Sequence, residues 1–349
     1  MSGKSPPPFP WRTYTKKELD DDFQKLRRRI LDDPITPSTP IKRPLVGYKC
    51  TNAFFQKERL RVRSQNKPSA IDYWKKNYRY VTRYNSNNDM FGRVVFLSFA
   101  PSEFSAYAAG AVYAYFMRLL GKTPETFTVQ DFYSGWGNRM LGAMALGVRY
   151  IGCDANTRLE KSYAKLAAFG RGQTPNQPAE LQPVDHREST KPRWRAGGTL
   201  AECGRDPKQQ IKTVARFAPS SRGDETPLRD PALYFQRSET LPASLIPVKG
   251  VDIVFSSPPF FDGNLVEEYP ETESDYETFM RTSLVPIMRR CLAAKIWVCL
   301  YIPTNMYNDL KKVFGSAKKK FKFVAKMNNL NGAYSNSNII YCWKATTTL

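Results

Sequence analysis

Two stretches of this 349-residue sequence carry residue types whose order could do chemistry. The first is Val251-Asp-Ile-Val-Phe-Ser-Ser257-Pro258-Pro259-Phe260, an apolar run ending in Ser-Pro-Pro-Phe. Two successive prolines have no N–H, so they form a stiff corner whose carbonyls are left as acceptors. The Ser257 oxygen and the Pro258 carbonyl can both accept from an –NH2 group. That grip localises the lone pair on nitrogen and aims it at an electrophilic methyl, while Phe260 can stack on a flat base. A site of this kind works by positioning and electrostatics. A rigid surface turn over a buried phenylalanine is the competing reading.

The second stretch is Asp131-Phe132-Tyr133-Ser134-Gly135-Trp136-Gly137, where the expected strand 128–133 (TVQDFY) meets the helical pattern MLGAMALG. Glycines at such a junction let the backbone approach a ligand closely. Asp154, followed by Ala155, closes the next apolar run, where an acidic residue can accept from ribose hydroxyls. Gly135 and Asp154 are 19 residues apart, near the ~20 of nucleotide-binding folds. A plain tight turn is the alternative. The third glycine of G-x-G-x-x-G would fall on Met140, which disfavours pyrophosphate and therefore a nicotinamide cofactor.

Strand, glycine turn, helix and strand make a βαβ unit with parallel strands. Strands are expected at Thr128–Tyr133, Val148–Cys153, Leu233–Gln236, Val251–Ser256 and Ile296–Ile302, with a closing hairpin of Phe321–Met327 and Asn338–Trp343. Helices are expected at Leu19–Leu31, Ala70–Tyr84, Ser105–Leu120 and near Glu273–Ala294. The pattern predicts an α/β class: a doubly wound, mostly parallel, seven-stranded Rossmann-like sheet with one reversed strand. Residues 93–349 read as one domain. Residues 170–232 carry eight prolines and read as an insertion, either a disordered loop or a module that reads the target.

Residues 1–92 read as a basic N-terminal arm or accessory region. They hold 20 Lys and Arg against 9 Asp and Glu, about half of the chain's net charge of +21. Charge of that size favours a polyanion such as nucleic acid, with anionic lipid or simple solubility as alternatives. Arg27, Arg28, Arg29, Arg59, Arg61, Arg63, Lys318, Lys319 and Lys320 are candidate phosphate contacts, or else plain solvated faces. No C-x-x-C pair occurs and His186 is the single histidine, so no metal site is expected. Cysteines within apolar runs, such as Cys299, read as reduced thiols. With no membrane-length apolar run and no signal-peptide core, an intracellular protein is expected, in cytoplasm or nucleus.

These motifs resemble those of amino-methyltransferases that modify N6 of adenine or N4 of cytosine. Ser257-Pro-Pro-Phe260 is similar to their Asp/Asn/Ser-Pro-Pro-Tyr/Phe/Trp signature, and Asp131-Phe-Tyr-Ser-Gly-Trp-Gly137 to their D-P-F-x-G-x-G motif. The resemblance covers roughly residues 94–345. It implies a class I methyltransferase fold with strand order 3-2-1-4-5-7-6 and S-adenosyl-L-methionine as cofactor. It implies that Tyr133, Ser134, Gly135 and Gly137 line the cofactor, with Asp131, Ala155 and Ser257 alongside, and that Asp154 holds the ribose. Ser238 or Glu239 falls where an adenine-ring contact is implied. Phe99-Ala-Pro-Ser-Glu103 resembles the motif that closes over the methionine end. Phe132 in place of proline, and Trp136-Gly-Asn-Arg139 in place of S-G-T-T, depart from the family pattern.

The implied catalytic loop is Ser257, Pro258, Pro259 and Phe260. It would act by direct transfer to a base flipped out of its stack, with no covalent intermediate. No Pro-Cys pair supports a thiolate mechanism. DNA is the favoured substrate. The alternatives are the same chemistry on RNA, or a nucleic-acid-binding protein that keeps the fold without activity. Adenine versus cytosine, target site and oligomeric state are left open.

Overall fold

The computed structural model describes residues 5–37, 41, 44–64, 67–83, 87–172, 213–214, 231–259, 276–314, 319–324 and 339–344. For 87–88, 213–214 and 319–324 it gives the backbone path alone.

The N-terminal quarter is helical. Helix α1 (Lys16–Asp32) starts at a capping box: Glu18 N donates to the Thr15 hydroxyl and the Glu18 carboxylate accepts from Thr15 N, at 3.2 and 2.9 Å. Its buried residues Leu19, Phe23, Leu26 and Ile30 follow the spacing of one helix face. Asp22 reaches from α1 to accept the amides of Gly47 (3.1 Å) and Lys49 (2.9 Å), where α2 (Tyr48–Arg59) begins. Helices α3 (Ala70–Val81) and α4 (Asn87–Leu97) enclose a small cluster of Leu60, Trp74, Val81, Phe91 and Val94.

Leu19, Phe23, Leu26 and Ile30 of α1 and Cys50, Phe54 and Phe55 of α2 belong to the main core. The boundary expected between residues 92 and 93 falls within α4.

The rest alternates strand and helix. Helix α5 (Ala106–Leu119), capped by Ser105, precedes β1 (Thr128–Asp131), α6 (Asn138–Leu146), β2 (Arg149–Asp154) and α7 (Glu160–Gly170). Then come β3 (Thr213–Val214), β4 (Ala232–Phe235) and β5 (Ile253–Ser256). Helix α8 (Tyr276–Phe279) runs through a π-turn at Met280–Leu284 into α9 (Val285–Ala293). Strand β6 (Trp297–Ile302), α10 (Thr304–Val313), β7 (Lys319–Val324) and β8 (Ile339–Trp343) complete the described chain.

The strands form one sheet in the order β3-β4-β2-β1-β5-β6-β8-β7. Strands β4, β2, β1, β5 and β6 are mutually parallel, and β8 runs against both β6 and β7. The chain is α/β with a mostly parallel sheet. Among the described residues the sheet holds eight strands, against the seven expected. The two-residue β3, inside the 170–232 stretch, pairs antiparallel on the outer edge of β4, so two strands run reversed. A strand that covers an exposed sheet edge satisfies backbone groups that would otherwise invite pairing with another chain.

Both faces are covered, and the period-two alternation of strand side chains sorts residues between them. Ile253, Phe255, Trp297, Cys299 and Tyr301 face the layer of α1, α2, α5 and α6. Val254, Val298, Leu300 and Ile302 face α9 and α10. From β1 the order runs outward through β2 and β4 on one side, and through β5 and β6 on the other. The helix after β1 belongs to the first layer and the helix after β5 to the second. The carboxyl ends of β1 and β5 are therefore the switch point of the sheet, the place where sheets of this kind hold ligands in a crevice. No described helix is long and apolar enough to cross a membrane.

Shared burial of α1 with the sheet layer has a measurable consequence. Leu26→Ala, at a fully buried position, is expected to cost about 2–5 kcal/mol in one cooperative urea transition. A separate early transition, with the main one unmoved, would mean that α1 folds apart from the sheet.

Candidate active site at the switch point of the sheet

The two loops picked out by residue type leave from β1 and β5, which are neighbours with Val129 opposite Ile253 and Gln130 opposite Val254. The last residues of these strands, Asp131 and Ser256, are joined. The Ser256 hydroxyl donates to Asp131 Oδ1 (2.7 Å) and accepts from Phe132 N (2.8 Å). Asp131 Oδ1 also accepts from Tyr133 N (3.1 Å), turning the chain at the strand end. Asp131 Oδ2 accepts from Arg139 Nε (2.6 Å) and the Tyr150 hydroxyl (2.7 Å). One carboxylate at 0% exposure thus receives four donors from both loops, α6 and β2.

The glycine loop is tied down residue by residue. Ser134 N donates to the Cys153 carbonyl (2.9 Å), and Gly135 N to Asp154 Oδ2 (2.6 Å). The Gly135 carbonyl accepts from the Tyr163 hydroxyl (2.9 Å), and the Tyr133 carbonyl accepts from Arg139. The two glycines do different work. Gly135 has φ +61°, and a Cβ there would meet Arg139 at 3.7 Å, an ordinary contact, so its left-handed backbone and not lack of room is what favours glycine. Gly137 has φ +76°, and a Cβ there would meet the Phe55 ring at 2.5 Å, so that space belongs to α2.

Asp154 ends β2 with both oxygens engaged by backbone: Oδ2 by Gly135 and Oδ1 by Asn156 N (2.9 Å). Burial pushes its carboxyl up to about 6, against the pull of the Asn156 and Gly135 amides. Ser283 of the π-turn connects two side chains. Its hydroxyl lies 2.9 Å from that of Tyr133 and donates to Glu239 Oε2 at 2.9 Å. A π-turn advances the chain by one extra residue, which re-aims a side chain, and such turns recur at functional sites. Burial raises the Tyr133 hydroxyl well above the ordinary tyrosine value, so it stays protonated as a hydrogen-bonding group.

No protein-family model and no curated protein matches this chain. A crystal structure of a Thermoplasma acidophilum protein aligns with 69% of this chain and 90% of its own, at 10% identity and a TM-score of 0.33. A likeness of that strength says nothing about the site.

Most of the residues expected at a cofactor lie at or just after the carboxyl ends of β1, β2, β4 and β5, and three of them are enclosed by the protein. Asp131 is enclosed, with its carboxylate consumed inside the protein. Gly137 is packed against Phe55. Ser238 turns inward to bond the Phe132 carbonyl, which leaves Glu239 as the partly exposed member of that pair. Tyr133, Gly135, Ala155 and Ser257 are half-buried at the rim, and Ser134 is buried beneath them. In the catalytic loop Ser257 and Pro259 are half-buried and Pro258 is buried; Phe260 lies outside the described residues. In the 99–103 motif, Glu103 is buried and its Oε1 lies 3.5 Å from Arg59 Nε.

The expected phosphate contacts scatter. Arg59 is spent internally on Glu103, Asn52 and the Pro101 carbonyl, so its role is structural. Arg61 pairs with Glu58 (3.2 Å), Arg63 with Asp72 (2.6 Å) and Arg29 with Asp33 (3.3 Å). Arg28 is exposed and Arg27 half-buried. Lys319 and Lys320 lie on β7 with side chains outside the description, as is all of Lys318.

Sequence reading missed Arg139, Tyr150, Ser256, Tyr163 and Ser283. Arg139 carried a signal, as the one charge in the otherwise uncharged α6; such a cation is buried only with a partner. The Ser256–Ser257 pair gives no hint which serine locks the strand and which reaches the rim. Ser256→Ala removes a donor to Asp131 and orphans the Phe132 amide. It is expected to cost about 1–3 kcal/mol by urea unfolding. A change near zero would show that the two strand ends hold their places without this bond.

Proposed function

We propose that this chain transfers a methyl group from S-adenosyl-L-methionine to an exocyclic amino group of a base in nucleic acid, with DNA as the favoured substrate. The observation that carries this reading is the junction of the two loops. Through Ser256, Asp131 fixes the start of Ser257-Pro258-Pro259 beside the glycine loop at the switch point. Support also comes from the strand order. With the short β3 set aside, β4-β2-β1-β5-β6-β8-β7 reads as 3-2-1-4-5-7-6 with the penultimate strand reversed, the order implied by the methyltransferase resemblance.

The residues present fit the cofactor. Gly135 turns the chain at the strand end with a left-handed backbone, and Asp154 retains lone pairs for ribose hydroxyls while two amides hold it. Glu239, held by Ser283, offers a carboxylate to a purine amino group. When bound, the cofactor supplies an electrophilic methyl. The chain's own work is to grip the target amine. Ser257 and the Pro258 carbonyl accept its N–H bonds, keep the lone pair on nitrogen and exclude water around it, while Phe260 stacks on the base. The net charge of +21 supports a polyanionic substrate.

Asp154 gives the reading a pH dependence. Its raised pKa means that the folded protein without ligand favours the neutral acid. That contribution to stability is full below about 4 and is lost as pH rises through about 6. Donors from a ribose favour the ionised form. Affinity for S-adenosylhomocysteine, measured by calorimetry, is therefore expected to rise between about pH 5 and 7. A flat profile would remove Asp154 from the ribose role.

Activity is tested by incubating the protein with labelled cofactor and mixed DNA and RNA, then identifying the modified nucleoside by mass spectrometry. N4-methylcytosine or N6-methyladenine in the DNA fraction is expected. Ser257→Ala should lower transfer by about 10²-fold or more with little change in cofactor affinity. Full transfer by Ser257→Ala would sink its role, and label confined to RNA or protein would sink the choice of DNA.

A further inference from the structure

The described basic residues away from the switch point are not evenly spread, and one group of them is mixed with exposed rings. Helix α3 buries Ala70, Trp74 and Val81 and turns Lys75, Lys76, Arg79 and Tyr80 to solvent, with Arg83 one turn further. Arg93 comes to the same place from α4: its guanidinium donates to the Tyr80 hydroxyl at 2.9 Å. The Tyr80 ring, 43% exposed, has two guanidiniums near it, Arg83 at 5.7 Å and Arg93 at 5.8 Å from the centroid. Arg79 lies 5.9 Å from the Tyr78 ring. One turn beyond Arg93 on α4, Phe96 is 61% exposed, the most exposed of the chain's described phenylalanine and tyrosine rings. Of the two acidic residues on these helices, Asp72 is occupied by Arg63 and Ser69, and Asp89 begins α4.

A solvated basic face has no need of exposed rings, and a protein–protein patch of this size would not concentrate five like charges. Cations that can reach phosphates, interleaved with rings that can stack on bases, are the two components of single-strand recognition. Stacking requires bases that are not already paired. An arginine held beside a ring is pre-oriented, so less freedom is lost when it meets a phosphate. We propose that the α3–α4 face, built from Lys75, Lys76, Arg79, Tyr80, Arg83, Arg93 and Phe96, binds a single strand of DNA. The cations would track the backbone, and Tyr80 and Phe96 would stack on bases. The preference for DNA rests on the methyl-transfer reading above, whereas the face itself stands on its own charges and rings. It gives the N-terminal helices a task that differs from the expected arm: the basic residues that matter are on α3 and α4, beyond the internally paired Arg59, Arg61 and Arg63.

The test uses the full chain without cofactor and follows the fluorescence anisotropy of a labelled oligothymidylate at several salt concentrations. The triple variant Arg79→Ala/Arg83→Ala/Arg93→Ala should bind at least about tenfold more weakly. Its slope of log affinity against log salt should be shallower by about 2, at roughly 0.7 for each phosphate no longer neutralised. Phe96→Ala should weaken binding about fivefold or more with an unchanged slope, since stacking carries no counterions. If the triple variant loses its unfolding transition, Lys75→Glu/Lys76→Glu is the replacement and should weaken binding to the same degree. Unchanged affinity in these variants overturns the proposal. So does a loss confined to vesicles containing phosphatidylserine, which would make the face a membrane-binding surface. Tighter binding of oligouridylate through the same residues would overturn the choice of DNA. A chain that binds the strand here but transfers no methyl keeps this inference and sinks the methyl-transfer reading.

Discussion

Asp131 is buried at the end of the central strand, and the architecture around the switch point depends on what its carboxylate holds. A lone carboxylate there would be prohibitively costly, so its four donors are a condition of its presence as well as a consequence. Each donor comes from a different part of the chain: Ser256 from β5, Tyr133 from the turn, Arg139 from α6 and Tyr150 from β2. Arg139 then spends a second donor on the Tyr133 carbonyl, so the same ion pair that neutralises Asp131 also fixes the glycine loop. Losing one partner of such a pair leaves the other charge buried alone, at a cost of about 3–5 kcal/mol.

With that hub in place, the rim residues come with few degrees of freedom left. Gly135 is held at both its amide and its carbonyl, Asp154 at both oxygens, and Glu239 through Ser283. A site already ordered before ligand arrives loses little entropy on binding. The cost is visible in Asp154, whose carboxyl burial pushes up to about 6 even with the Gly135 and Asn156 amides donating to it.

The N-terminal helices share this economy. One face of α1 and α2 closes over the first sheet layer, and Phe55 fills the space that Gly137 leaves, so the accessory helices help to shape the loop. Arg59 and Glu103 extend that link to the segment before α5. What α3 and α4 turn outward is then available for another partner, and their charges and rings lie on that outer side.

Much of the molecule was legible from local pattern alone. The apolar runs of β5 and β6 mark them as strands buried on both faces, with no polar side to interrupt them, whereas β1 (Thr-Val-Gln-Asp) is marked by its place before the glycine turn. The Gly135–Asp154 spacing and the Ser-Pro-Pro corner likewise depend on backbone chemistry that is written in consecutive residues. Tertiary structure decided the rest, since hydrogen-bond partners separated by more than a hundred residues, as Asp131 and Ser256 are, leave no local trace. It decided that Asp131 and Ser238 face inward, that Gly137 serves packing, and that Arg59 is structural. It also decided that β3 covers an edge and that α1 belongs to the core. Residue type sets what a side chain can do; which of its neighbours reaches it first, and whether water still can, is settled only by the packed chain.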